Sequence, residues 1–166
     1  MESHNRESEP VQQVQGSDSA TLERPGAIGR TRRGRILIVE DEEQVRKPIR
    51  LNLVKAGYDV IEVGNGAEAI DLLKTEGKAG MVDTILCDIR MPAVTGVEAI
   101  LYVRAHYPSI PIVVLTGYPD VELAASLMRQ GVLDYLIKPI TREELLTVIE
   151  RCVEQCQAAA ERICDR

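Results

Sequence analysis

Apolar positions along the chain fall into short continuous runs that alternate with longer stretches of helical spacing. Ile36-Leu37-Ile38-Val39 is continuous and largely β-branched, the pattern of a strand buried on both faces. Residues 42–56 follow with Val45, Ile49, Leu53 and Val54 toward one face, which predicts a helix. Pro48 sits about one turn into it, so a kink or a late helix start is expected, and Gly57 is placed to end it. Further strands are read at 58–63, 81–87, 110–115 and 133–137, with Pro111 tolerable only near the start of its run. Further helices are read at 67–74, behind Gly64-Asn65-Gly66, and at 97–105 and 121–130, the last stopped by Gly131. Thr141-Arg142-Glu143-Glu144 has the form of a capping box and opens a final helix that passes Cys156 toward Ile163. Five βα units in series predict an α/β fold with a parallel sheet and helices on both faces.

The chain has 166 residues, enough for one domain and a tail. The domain is placed at 35–156, with 157–166 as an extension of the last helix and 1–34 as a separate arm. Over residues 1–35 five acids and six bases nearly cancel, and Arg30, Arg32, Arg33 and Arg35 bunch before the first strand. A segment of this composition buries too little apolar surface to offset its ordering entropy, so it is expected to be disordered. With no aromatics interleaved, the arginines read as part of a solubilising arm before they read as a nucleic-acid contact.

Composition narrows the function classes. There is no Trp and no Phe, and five Tyr supply little for stacking on single-stranded nucleic acid. The net charge of −6 has the wrong sign for coating DNA or an anionic membrane. The first twenty residues lack the apolar run of a secretory signal, and no stretch approaches the ~20 apolar residues that span a bilayer. Cys87, Cys152, Cys156 and Cys164 do not make a disulfide framework in a chain this long. A cytoplasmic protein with reduced thiols is expected. Nothing after the last helix is long enough for a DNA-binding domain, so the expectation is a single domain without an attached output.

In open parallel sheets, sites form at the carboxyl ends of the strands. The first strand ends in Glu40-Asp41, the third in Asp88, the fourth in Thr116-Gly117 and the fifth in Lys138-Pro139. Three carboxylates, a hydroxyl and an ammonium thus converge on one edge. The carboxylates would repel unless a hard cation neutralised them, and an oxygen-only ligand set suits Mg²⁺. A carboxylate is also a nucleophile toward phosphorus, and phosphoryl transfer needs chiefly positioning and charge neutralisation. The plainer readings are an acid pair capping a helix, with Glu42 and Glu43 as first-turn acids, a solvated Lys138 and a packed Tyr135. Each is adequate alone; the convergence favours a site. Elsewhere, Leu145, Ile149, Cys152 and Cys156 form one stripe. The two thiols are therefore read as buried packing rather than as metal ligands together with Cys164. His4 and His106 have no catalytic companions.

Ile36-Leu37-Ile38-Val39-Glu40-Asp41-Glu42 resembles the opening strand and acidic pair of response-regulator receiver domains. Cys87-Asp88-Ile89-Arg90-Met91-Pro92, continuing to Gly96, resembles their phosphoacceptor loop. Val113-Val114-Leu115-Thr116-Gly117 and Asp134-Tyr135-Leu136-Ile137-Lys138-Pro139 resemble the remaining two signatures, and all four occur in order over residues 35–156. The resemblance implies a five-stranded parallel sheet of order 2-1-3-4-5, flavodoxin-like and doubly wound. It implies Asp88 as phosphoacceptor, and Mg²⁺ held by Glu40, Asp41, Asp88 and the backbone carbonyl of Arg90. Lys138 would pair with Asp88 and then with the phosphoryl group. Thr116 would swing toward the phosphate, with Tyr135 following it inward, and Lys138-Pro139 would be a cis peptide.

The implied partners are a sensor histidine kinase or a phosphotransfer protein, and then a downstream protein met through the face of the fourth helix, fifth strand and fifth helix. The same face is the candidate for a homodimer. Enzymatic activity is expected only toward the chain itself, as self-phosphorylation from a phosphodonor and autodephosphorylation. Departures from the family pattern are Glu40 in place of Asp, Cys87 and Gly64 in place of small apolar residues, and bulky Arg90 and Tyr118 at variable positions. A phosphorylation-independent scaffold is the alternative. A Mg²⁺-dependent phosphohydrolase is weaker, since Arg90 stands where such enzymes commonly carry a second carboxylate.

Overall fold

The computed structural model describes residues 33–92 and 95–164. The arm expected over 1–34 lies outside them apart from Arg33 and Gly34, as does the thiol of Cys164. The elements run β1 (Arg35–Val39), α1 (Glu43–Lys55), β2 (Asp59–Val63), α2 (Gly66–Lys74), β3 (Thr84–Asp88), α3 (Gly96–His106), β4 (Ile112–Thr116), α4 (Val121–Arg129), β5 (Asp134–Ile137) and α5 (Arg142–Cys164). All strands pair in parallel in the order β2-β1-β3-β4-β5, the doubly wound arrangement expected.

Successive side chains on a strand point to opposite faces, so the continuous apolar runs divide between two cores. Leu37, Val39, Ile85, Cys87, Ile112 and Val114 pack on one face against Ala69, Leu73, Ile100, Val103 and Leu127 of α2, α3 and α4. Ile36, Ile38, Leu86, Val113 and Leu115 pack on the other against Ile49 and Leu53 of α1 and Leu145, Ile149 and Cys152 of α5. The central strands β3 and β4 are buried along their whole length, whereas β2 and β5 at the edges are half-buried.

Apart from shifts of a single residue at element ends, the structure departs from the sequence reading in three places. Helix α1 starts at Glu43, so Pro48 does not delay it. The proline forfeits one hydrogen bond to the carbonyl of Gln44, and both residues are exposed, so water can satisfy that group. Met81 belongs to a short 3₁₀ turn over Ala79–Met81 and is exposed; β3 begins only at Thr84. Ile110 is tied back to the Tyr107 carbonyl in a turn, so β4 begins after Pro111. Gly57 ends the first helix as expected. Its φ of 94° lets its N–H reach the Val54 carbonyl and the Tyr58 N–H reach that of Leu53, a Schellman closure.

Candidate functional site

Glu40, Asp41 and Asp88 offer carboxylate oxygens that all lie within 4.8 Å of one another, the cluster that the β1 and β3 ends were expected to form. Glu40 is fully buried and Asp88 nearly so, while Asp41 is exposed. Lys138 closes the group. Its Nζ donates to Glu40 Oε2 at 2.5 Å and to Asp88 Oδ2 at 2.6 Å. The ammonium is delivered from β5 by its own backbone, whose N–H donates to the Thr116 carbonyl at 2.7 Å, and a cis peptide joins Lys138 to Pro139.

The remaining oxygens of the buried pair are met by main-chain donors. The Arg90 N–H donates to Asp88 Oδ1 at 2.8 Å and the Glu42 N–H to Glu40 Oε1 at 3.2 Å. Burial pushes the Glu40 carboxyl up, against the hydrogen bond and charge of Lys138. Burial also works against the charged form of Lys138, but its hydrogen bonds to Asp88 and Glu40 outweigh that and push its pKa up. The ammonium therefore stays charged between the two buried carboxylates.

Thr116 and Tyr135 sit close by along the sheet edge without joining this network. The Thr116 hydroxyl is buried and turned onto its own loop, donating to the Tyr118 carbonyl and accepting from the Tyr118 N–H, both at 3.1 Å. The Tyr135 hydroxyl accepts from the Asp120 N–H at 3.5 Å, at the N-cap of α4. Arg90 is exposed, and its guanidinium lies over the Tyr118 ring, 5.2 Å from the centroid. The two bulky residues that depart from the family pattern thus stack on each other, a pairing no spacing rule foretold.

One glycine is demanded by the site. A Cβ on Gly96, the first residue of α3, would stand 1.9 Å from the Asp88 carbonyl oxygen. Helix α3 therefore starts against the backbone of the buried acid, closed by a capping box of Thr95 and Glu98.

The model of the response regulator receiver domain matches residues 36–150. The chain belongs to this family. The receiver is 34% identical over 120 residues to the regulatory protein AtoC of Escherichia coli K12, covering 72% of this chain and 25% of that protein. It is 30% identical over 125 residues to the DNA-binding transcriptional regulator NtrC of the same strain, covering 75% and 26%. The chain thus spans about a quarter of the length of the curated relatives it matches. A CheY-like receiver domain from Methanospirillum hungatei JF-1 superposes with a TM-score of 0.70 at 24% identity, covering 76% of this chain and 98% of that one, a likeness of fold.

Receiver domains are signalling domains rather than classical enzymes, and they bind Mg²⁺ at an acidic pocket. The residues here fit that ion: the donors are all oxygen, and one ammonium leaves the cluster with excess negative charge. The three described thiols are not part of the cluster. Cys87 and Cys152 are buried, and burial pushes the Cys152 thiol up to about 12 and that of Cys87 higher still. Half-buried Cys156 is pushed up by burial as well. Among the described residues no helix is long and apolar enough to cross a membrane.

Proposed function

We propose that the receiver is a phosphorylation-dependent switch of a two-component system or phosphorelay, with Asp88 as the phosphoacceptor. The observation that carries this is the Lys138 ammonium bridging buried Glu40 and Asp88 while exposed Asp41 completes the carboxylate cluster. Asp88 is a carboxylate held between a cation and a backbone donor at the mouth of the sheet. Glu40, Asp41, Asp88 and the Arg90 carbonyl would hold Mg²⁺, which when bound supplies positive charge against the oxygens of the transferred group.

A carboxylate oxygen of Asp88 attacks the phosphorus of a phosphohistidine or an acyl phosphate. The new O–P bond forms as the P–N or P–O bond to the donor breaks, and the electron pair leaves with the imidazole or the carboxylate. Lys138 then releases Asp88 and follows the charge onto a phosphoryl oxygen. The donor is a sensor histidine kinase or a phosphotransfer protein, or a small acyl phosphate in self-phosphorylation. Autodephosphorylation returns the resting state.

The signal is a population shift. Thr116 gives up its contacts to the Tyr118 backbone for the phosphoryl group, and Tyr135 moves into the space released. Reversing a 1:99 equilibrium to 99:1 takes about 5.5 kcal/mol. Tyr118, Val121 and Ile137 are exposed apolar side chains on and beside α4 and β5, and they form the surface on which a partner protein or a second copy reads the change. Phosphohydrolases with an Asp nucleophile commonly carry a second carboxylate two residues beyond it. Arg90 stands there, stacked on Tyr118.

Intact mass after incubation with Mg²⁺ and acetyl phosphate tests the assignment. One added phosphoryl group is expected in the wild type, none in Asp88→Asn, and none with a chelator present. Equal labelling of wild type and Asp88→Asn would reject Asp88 as the acceptor.

A further inference from the structure

Asp41 is the one carboxylate of the cluster that is exposed, and it makes no hydrogen bond or ion pair among the described residues. Its position within reach of Glu40 and Asp88 is therefore set by its backbone. That backbone is held from an unexpected place. The Glu40 N–H closes the β1–β2 ladder on the Val63 carbonyl at 3.2 Å. β2 ends there, and the β1–β3 register ends at Val39 with Cys87. The Glu40 carbonyl thus lies beyond the sheet, and Arg46 of α1 supplies its partner, donating from Nη1 at 2.6 Å.

The guanidinium is itself braced. Arg46 Nε donates to Glu62 Oε1 on β2 at 3.2 Å, and Glu62 Oε2 is paired with Arg50 at 3.2 Å. Two nitrogens in fixed relation reach a strand side chain and a loop carbonyl at once, a task for the planar fork of arginine rather than the single nitrogen of lysine. All other polar groups of Glu40 are taken, by Val63, Glu42 and Lys138. Arg46 thus fixes the plane of the peptide that joins Glu40 to Asp41.

We propose that Arg46, braced by Glu62, is a positioning residue that orients Asp41 for the metal. This rests on the reading of the acidic pocket as a Mg²⁺ site. The sign of the effect sets it apart from charge alone. Removing a positive charge near a cation site strengthens cation binding by Coulomb's law, whereas losing a residue that orients a ligand weakens it by about tenfold.

The experiment is calorimetric titration of Mg²⁺ into wild type, Arg46→Met, Arg46→Lys, Glu62→Gln and Lys47→Met, each with its thermal unfolding curve. Arg46→Met is expected to bind Mg²⁺ about tenfold more weakly. Arg46→Lys and Glu62→Gln fall between it and the wild type, and either serves if Arg46→Met fails to fold. Lys47→Met removes a charge from the next position of α1 and is expected to bind equally or more tightly. In Arg46→Met, phosphorylation by acetyl phosphate should recover the wild-type rate at saturating Mg²⁺, which a general loss of structure would not allow. A wild type that binds Mg²⁺, together with an Arg46→Met that binds it equally or more tightly, overturns the positioning role alone. A wild type that binds no Mg²⁺ overturns the site reading and this inference with it.

Discussion

Asp41 and Lys138 carry opposite duties in the pocket, and their substitutions separate folding from ion binding. Lys138 neutralises part of a buried pair, whereas Asp41 adds a charge that is paired with no cation among the described residues. Asp41→Asn is therefore expected to raise the urea midpoint in the absence of metal, through relief of like-charge repulsion. It should also abolish stabilisation by added Mg²⁺, which for the wild type amounts to about 1.4 kcal/mol at ten times the dissociation constant. Equal metal-induced stabilisation of the two proteins would contradict the role given to Asp41. The thiols make a second check. Cys152, pushed up to about 12 by burial, and fully buried Cys87 should resist alkylation at pH 8 in the folded protein and react in denaturant. The acids, the hydroxyl and the lysine were legible because each ends or follows a strand, and strand ends can be read from hydrophobic runs. Arg46 was not. Its bond to the Glu40 carbonyl depends on where β2 stops and how α1 is rotated, and no local pattern encodes either. The Arg90–Tyr118 stack was hidden for the same reason, since the two lie on loops after different strands.

Helix starts decide how the elements meet the site. Gly96 brings the first turn of α3 against the Asp88 carbonyl, so Gly96→Ala should cost about 3 kcal/mol in urea unfolding. Gly80→Ala, with nothing within 4 Å of the added carbon, should fall within about 0.5 kcal/mol of the wild type. Similar losses for the two would refute the close-approach account. At α5, the Thr141 N–H and hydroxyl donate to Glu144 and hold its carboxyl below the usual carboxylate range. A depressed folded value means that the contribution is complete above the unfolded pKa and disappears as pH falls through the folded one. The stability gap between wild type and Glu144→Gln should therefore close on acidification, and a gap that widens would reverse the sign. That capping box was legible from Thr141 and Glu144 three residues apart. Of the kink or late start expected for α1, the late start was not realised, because Pro48 costs a single hydrogen bond at a solvent-facing position. The start of β3 was misplaced because Met81 and Val82 continue the apolar run in sequence while the backbone still turns.

Among the described residues two cores pack the sheet on both faces, and the proposed response is placed at its carboxyl edge and one flank. Strand order followed from the family resemblance, and the two-sided burial from the continuous runs of β1, β3 and β4. The resting contacts of Thr116 and Tyr135 lay beyond sequence reading, since both depend on how strand side chains turn toward the loop between β4 and α4. Those contacts are what a switch must change. The most direct test follows backbone amide resonances of the wild type and Asp88→Asn as acetyl phosphate and Mg²⁺ are added, with occupancy of Asp88 confirmed by mass. The account predicts shifts in the wild type alone that run from Asp88 through Thr116–Tyr118 to Tyr135–Lys138 and onto α4. A fully phosphorylated protein whose shifts stay confined to the immediate neighbours of Asp88 would contradict it.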